Sequence, residues 1–167
     1  MSVNITTKLP NLGLSGEVVE QAIELLQTLL ADEYVLYTKL RKYHWNVRGP
    51  QFKALHELFE MQYTELEVKI DTIAERVRAY GAPVIGTMAE FTEQTRLDEQ
   101  AGVYPDATSM VASLVQDHEQ LIRHLREDVE TADDLDDVGL EDFLTAQLQA
   151  HQEMAWMLRS FMGDDSF

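Results

Sequence analysis

Two histidines and three carboxylates between positions 44 and 75 have the residue types and spacings of metal ligands. His56 and Glu60 are four residues apart, and so are Asp71 and Glu75. At about 100° per residue, these four side chains lie on one face of a helix. Imidazole and carboxylate suit Fe(II), with Zn, Mn and Co as competitors. A solvated helix face that carries ordinary i, i+4 pairs is the alternative interpretation.

One chain cannot bring these ligands together. His56 and Asp71 are 15 residues apart, which is about 22 Å along a helix at ~1.5 Å per residue. If two copies of the helix pack antiparallel about a two-fold axis near residues 65 and 66, the His56 end of one chain meets the Asp71 end of the other. His44, just before the preceding turn, can fold back toward His56. The spacing predicts two equivalent sites shared between two subunits.

The sequence HWNVRGPQFKALHELFE, from His44 to Glu60, followed by DTIAE, from Asp71 to Glu75, resembles the Dps family of mini-ferritins. The resemblance implies an intersubunit ferroxidase centre with five iron ligands, which are His44, His56, Glu60, Asp71 and Glu75. The family usually has Asp where this chain has Glu60, so the longer side chain affects the second iron position. Trp45 matches a family tryptophan near the iron and is a candidate electron relay, with packing at the helix end as the alternative.

The resemblance also implies a function. It predicts a ferroxidase that oxidises Fe(II), with hydrogen peroxide as the preferred oxidant, and stores Fe(III) mineral in a hollow dodecamer. Two alternatives stay open: a nucleoid protein that protects DNA, and a metal-buffering cage without significant turnover. Some Dps proteins bind DNA through a lysine-rich terminal arm, whereas residues 1–14 contain only Lys8. Direct DNA binding is therefore not expected.

Composition agrees with a cation-handling protein. The chain of 167 residues is 45% hydrophobic, which predicts one globular domain over 1–167. Its net charge of -17 opposes binding to nucleic acid and to anionic membranes, although acidity for solubility alone remains an alternative. The absence of cysteine excludes disulfides and thiolate metal sites. Without a signal peptide or an 18-residue apolar run, a cytoplasmic location is expected.

Helical periodicity predicts four long helices and a short one, after an extended arm over residues 1–14. Ser15, Pro50, Asp106, and Asp136 or Asp137 mark the four long starts. The predicted ranges are 16–46, 50–80, 88–95 for the short helix, 107–131 and 138–162. No strand pattern competes, so the sequence predicts an all-α, ferritin-like four-helix bundle whose crossover, Gly81 to Pro105, carries the short helix.

The histidines outside the segment from His44 to Glu75 show no second metal-site pattern. No histidine has Glu three residues before it, so the Glu-x-x-His di-iron site of ordinary ferritins is not expected. His118 and His151 lie on apolar stripes and are predicted to be buried, hydrogen-bonded core residues. His124 and Glu127 form an i, i+3 pair that is typical of a surface.

Acidic residues around the start of the last helix suggest an iron entry route. In Dps cages the corresponding region lines three-fold pores, which makes Asp142 and Asp137 candidate pore residues. Capping of the helix dipole by carboxylates is the alternative. Glu57, beside the ligands, is a candidate for mineral nucleation, although an exposed helical glutamate is the ordinary interpretation.

Overall fold

The computed structural model describes residues 10–163, and within that range all regular structure is helical. The elements are α1 (Gly16–Asn46), α2 (Phe52–Ala79), α3 (Met88–Gln94), α4 (Ala107–Asp134) and α5 (Val138–Met162). Helix α1 pairs with α2 and α4 pairs with α5, while α3 lies on α1. The predicted all-α four-helix bundle with an extra crossover helix is confirmed.

The helix ends follow the capping residues. Ser15 accepts a hydrogen bond from the Val18 N–H at the start of α1, and Asp106 does the same for Ser109 at the start of α4. Thr87 and Glu90 form the predicted capping box of α3. Gly163 ends α5 with φ of 66°, a left-handed conformation that costs glycine little. Local side-chain chemistry therefore fixes most of the boundaries.

Two boundaries differ from the prediction by more than one residue. Helix α4 was expected to end near Thr131 but continues to Asp134, because Ala132 is fully buried and its burial holds the last turn against the bundle. Helix α2 begins at Phe52 instead of Pro50, since residues 50 and 51 form a turn. The arm predicted over 1–14 lies outside the described residues up to position 9, and residues 10–14 are non-helical.

The core consists of the apolar stripes of the long helices. The buried side chains of α2 are typical of the pattern: they include Leu55, Phe59, Leu66, Ile70, Ile73 and Val77. These lie on the inward face of α2, so the predicted ligand face is left beside the core instead of inside it. No helix within residues 10–163 combines the length and apolarity needed to cross a bilayer.

A buried ionic network fastens the crossover to the bundle. Arg96 follows α3 and donates to both carboxylate oxygens of Asp128 on α4, at 3.0 and 2.9 Å, and to Asp32 on α1 at 2.8 Å. Burial raises the pKa of Asp32 although Arg96 opposes the rise. These contacts tie the segment after α3 to α1 and α4.

Candidate metal centre

His44 and His56 lie face to face at the junction of α1 and α2. Their rings are stacked with centroids 3.6 Å apart and an interplanar angle of 20°. The Phe52 ring lies on the other side of His56, with centroids 5.0 Å apart. The turn over residues 47–51 reverses the chain and brings together two histidines that are 12 positions apart. The predicted fold-back of His44 is therefore present.

The ring of each histidine donates a hydrogen bond to the backbone carbonyl of the other. Nδ1 of His44 lies 2.8 Å from the His56 carbonyl oxygen, and Nδ1 of His56 lies 2.8 Å from the His44 carbonyl oxygen. A carbonyl can only accept, so each Nδ1 carries a proton. In the neutral ring the lone pair is then on Nε2. This pairing leaves both Nε2 atoms as metal donors, which is the usual arrangement of metal-binding histidines.

Glu60 and Tyr63 extend the site along α2. Glu60 is exposed, one turn after His56, and its Oε1 accepts a hydrogen bond from the Tyr63 hydroxyl at 3.3 Å. The Tyr63 ring also meets the edge of His44, with centroids 5.3 Å apart. Burial and the neighbouring Glu60 raise the pKa of Tyr63. Its hydroxyl therefore stays protonated and serves as a donor to the carboxylate.

A cluster around Arg41 lies beside these residues. The guanidinium carbon is 4.9 Å from the Tyr63 ring centroid, 5.1 Å from that of Trp45 and 5.6 Å from that of Tyr37. Arg41 also donates to the Tyr37 hydroxyl at 2.7 Å. Trp45 is 65% exposed, so it covers Arg41 from the solvent side and is not a core residue at the helix end.

Asp71 and Glu75 lie nearer the other end of α2, where both are exposed. Asp71 lines a groove of about 570 Å³ that also includes exposed Val68 and partly buried Ile85. Because α2 is one unbroken helix from Phe52 to Ala79, these carboxylates are far from the histidines of their own chain. Among residues 10–163 of a single chain, no three His, Asp or Glu side chains are grouped so that they could hold a metal ion.

His118 and His151 are in the centre of the bundle, as predicted. Both are fully buried; their Nδ1 atoms are 3.0 Å apart, and Nε2 of His151 lies 2.7 Å from Oε1 of buried Glu33. Burial and the nearby His151 hold the pKa of His118 well below its usual value. His124 lies 3.8 Å from Glu127 and is partly exposed. The core assignment of His118 and His151 is confirmed.

The three candidate pore and nucleation residues differ in their surroundings. Asp137 is buried and caps α5: its Oδ1 accepts from the Leu140 N–H and its Oδ2 from the Tyr80 hydroxyl. That bond helps to raise the pKa of Tyr80 to about 12, after the larger effect of burial. Asp142 and Glu57 are exposed. Capping of α5 therefore explains the position of Asp137, whereas the pore role of Asp142 stays a prediction.

Sequence reasoning missed the cluster around the histidines. Tyr37, Arg41 and Trp45 are spaced by four residues on α1, and Tyr63 is three residues after Glu60 on α2. The i, i+4 spacing places the first three on one helix face, which was an available signal. Nothing in the spacing showed that Tyr63, on the other helix, would meet the same arginine.

Comparisons with known proteins agree on one relationship. The family described as a ferritin-like domain matches residues 23–166. An uncharacterized low temperature-induced protein from Nostoc sp. is 52% identical over 153 residues, covering 91% of this chain and 86% of that protein. DNA protection during starvation protein 2 from Bacillus anthracis is 41% identical over 86% of this chain and 97% of its own length.

A solved structure extends the agreement to three dimensions. The crystal structure of a Dps protein from Bacillus brevis matches with a TM-score of 0.84 and 38% sequence identity. The match covers 89% of this chain and 99% of that one. The likeness therefore extends over most of the chain.

Proposed function

Because the chain belongs to the Dps family of ferritin-like proteins, we propose that it is a ferroxidase and iron-storage mini-ferritin. Fe(II) is its substrate, and hydrogen peroxide, with oxygen as a slower alternative, is its oxidant. The product is Fe(III), which mineralises in the cavity of a homododecamer. This activity removes Fe(II) and peroxide together and so limits oxidative damage.

The main support for this proposal is the pair of hydrogen bonds between the rings of His44 and His56 and each other's backbone carbonyls. Because both Nδ1 protons are held on backbone carbonyls, both Nε2 lone pairs are free to bind a metal on rings that are already fixed. His44 is buried and His56 is partly exposed, so the stack lies at the edge of the core. We propose that these two imidazoles, with the Glu60 carboxylate one turn further along α2, supply half of the ligands of a metal site.

The other half comes from a second subunit in this proposal. Packing two α2 helices antiparallel about a two-fold axis brings Asp71 and Glu75 of the partner subunit to the His44 and His56 end. The exposed groove beside Asp71, with Val68 on its rim, offers apolar surface for that contact. Each pair of subunits then has two equivalent sites.

The types of the proposed ligands favour oxidation of the bound iron. Carboxylates are hard ligands that stabilise Fe(III) more than Fe(II), so binding at this site promotes loss of an electron. Two Fe(II) ions together reduce one peroxide: 2 Fe(II) + H₂O₂ + 2 H⁺ gives 2 Fe(III) + 2 H₂O. Zn(II) fits the same donors without redox chemistry and is therefore expected to inhibit as a competitor.

The acidic surface supplies the route for the cation. The net charge of -17 per chain attracts Fe(II). Exposed Asp142 is proposed to line an entry pore and exposed Glu57 to nucleate mineral. Buried Asp137 is proposed to support the pore by capping α5. Trp45, next to His44, is a candidate electron relay.

The test replaces both imidazoles and measures iron oxidation. In the His44→Ala/His56→Ala variant, stopped-flow oxidation of Fe(II) by peroxide is expected to fall to the rate of free iron, while size-exclusion chromatography shows an unchanged assembly. His124→Ala is the matched control, because it removes an imidazole from α4 and should leave the rate unchanged. An unchanged rate in the double variant would refute the site.

Two further measurements on the wild type, of Fe(II) binding and of DNA binding, separate the alternatives. A metal-buffering cage would bind Fe(II) stoichiometrically in the wild type without turnover. A nucleoid protein would shift DNA in a gel at moderate salt, a result opposed by the negative charge of the chain. We therefore favour iron oxidation over DNA protection as the function, although the name of one relative refers to DNA protection.

A further inference from the structure

Tyr63 connects a proposed iron ligand to the aromatic cluster around Arg41. Its hydroxyl donates to Oε1 of Glu60, and its ring packs on His44 and lies under the guanidinium of Arg41. The distance of 3.3 Å is long for a hydroxyl donor, but such bonds often shorten when substrate binds. Of the three aromatic residues around Arg41, Tyr63 is the one whose hydroxyl contacts a proton acceptor. That acceptor, Glu60, is also a proposed iron ligand, so it connects the phenol to the iron.

The surroundings of Trp45 make it a poorer electron donor. An indole that loses an electron first carries a positive charge, and here that charge would form 5.1 Å from the guanidinium carbon of Arg41. Like charges at this distance repel. A phenol that loses its electron and its proton together stays neutral, so Arg41 does not oppose oxidation of Tyr63 in the same way.

Tyr37 lies in the same cluster but lacks the carboxylate contact. Its hydroxyl accepts a hydrogen bond from Arg41 at 2.7 Å, and its ring meets the edge of Tyr63 with centroids 6.0 Å apart. A positively charged donor disfavours loss of an electron from the phenol it contacts. Tyr37 and Tyr63 therefore form a matched pair, with similar packing and opposite hydrogen-bond partners.

We propose that Tyr63 supplies the second electron when peroxide reacts at a site that holds a single Fe(II). The inference rests on the proposed ferroxidase function. It gives a role to the unusual Glu60, whose longer side chain reaches the hydroxyl of Tyr63 on the next turn and leaves the second iron position less well defined.

The electrons and protons balance over three steps. Fe(II) + H₂O₂ + H⁺ gives Fe(III), a hydroxyl radical and water. Tyr63 then gives an electron and its phenolic proton, so that the hydroxyl radical becomes water and a neutral tyrosyl radical remains; Glu60 accepts the proton in passing. A second Fe(II) with one proton restores the phenol and becomes Fe(III). The sum is the two-iron reaction, without release of hydroxyl radical.

The experiment loads the assembled protein anaerobically with one Fe(II) per site and mixes it with peroxide. Freeze-quench electron paramagnetic resonance is expected to show a tyrosyl radical in the wild type and in Tyr37→Phe, and none in Tyr63→Phe. A second Fe(II) should remove the signal. A spin trap should detect free hydroxyl radical in Tyr63→Phe only. Phenylalanine keeps the ring contacts with His44 and Arg41, and chromatography checks that the assembly is intact.

The outcomes separate this inference from the function on which it rests. If the wild type oxidises iron rapidly but the radical persists in Tyr63→Phe, or appears only on Trp45, the role of Tyr63 is overturned and the ferroxidase stands. If the wild type is no faster than His44→Ala/His56→Ala, the ferroxidase and the role of Tyr63 both fail.

Discussion

His44 and His56 each donate a ring N–H to the backbone carbonyl of the other, at 2.8 Å in both directions. The exchange ties the last turn of α1 to the first turn of α2. It also makes each imidazole the packing surface of the other, because their ring centroids are 3.6 Å apart. The two side chains form one structural unit, and their contributions to metal binding should not be independent.

The first prediction is that the single substitutions are strongly non-additive. His44→Ala and His56→Ala should each lower the rate of iron oxidation nearly as much as the double substitution. Each removes one nitrogen donor, and the remaining ring keeps its hydrogen bond to a backbone carbonyl but loses its stacking partner. Stopped-flow rates for the four members of the cycle measure this. Independent effects that multiply in the double variant would show that the stack does not orient the ligands.

The second prediction concerns the sharing of sites between subunits. His44→Ala/His56→Ala and Asp71→Asn/Glu75→Gln should each be inactive alone. Refolded together, a mixed pair has one site with both defects and one that is intact. With random pairing half of the pairs are mixed, so about one quarter of wild-type activity should return.

The control for this mixing experiment is to refold the two variants separately and to pool them after assembly. Little activity should return in that sample, because assembled subunits no longer exchange. The same sample also corrects for partial folding. Absence of recovery after joint refolding, with mixed assemblies shown by mass spectrometry, would mean that the ligands act within one chain.

The third prediction concerns Glu60. Glu60→Asp shortens the side chain by one methylene, breaks the contact with Tyr63 and should allow a second Fe(II) to bind tightly at each site. Anaerobic calorimetric titration should show more Fe(II) bound per subunit than in the wild type. Glu153→Asp, at an exposed glutamate on α5, is the control. Equal stoichiometry in the wild type and Glu60→Asp would contradict the prediction.

The fold was largely predictable because its signals are local. Ser15, Thr87 and Asp106 cap helices where their spacing predicted, and the apolar stripes of α1 and α2 are buried. Periodicity and capping depend on residues within one or two turns, which a single sequence displays. The predicted end of α4 was wrong because it depends on residues that are distant in the sequence. Burial of Ala132 extends the helix beyond the point where its local pattern ends.

The surroundings of the site were less predictable because they join distant residues. Arg96 meets Asp32 and Asp128, which are 64 and 32 positions away, and no periodicity links them. Tyr63 and Arg41 meet only because α1 and α2 pair with a particular register. The ligand pattern itself was visible on one helix, while its completion by a second subunit stays a prediction.

The fourth prediction is a loss of stability in acid that depends on His118. Its pKa in the folded protein lies well below the ordinary 6.5, first because of burial and then because of His151. The unfolded chain therefore binds more protons below about pH 6.5, and the free energy of unfolding must fall as the pH falls through that value. Above it the contribution is constant. One such group changes the free energy by at most about 1.4 kcal/mol per pH unit.

His118→Gln isolates this contribution, because it keeps a polar side chain next to His151 and cannot titrate. His151 and Glu33 share the network and are present in both proteins, so the comparison isolates His118. Urea unfolding between pH 7.5 and 5.5 should be less pH-dependent in His118→Gln than in the wild type, at equal protein concentration because unfolding is coupled to subunit dissociation. His124→Gln, at a partly exposed histidine on the same helix, should retain the wild-type profile. Parallel profiles for the wild type and His118→Gln would mean that folding does not lower the pKa of this imidazole.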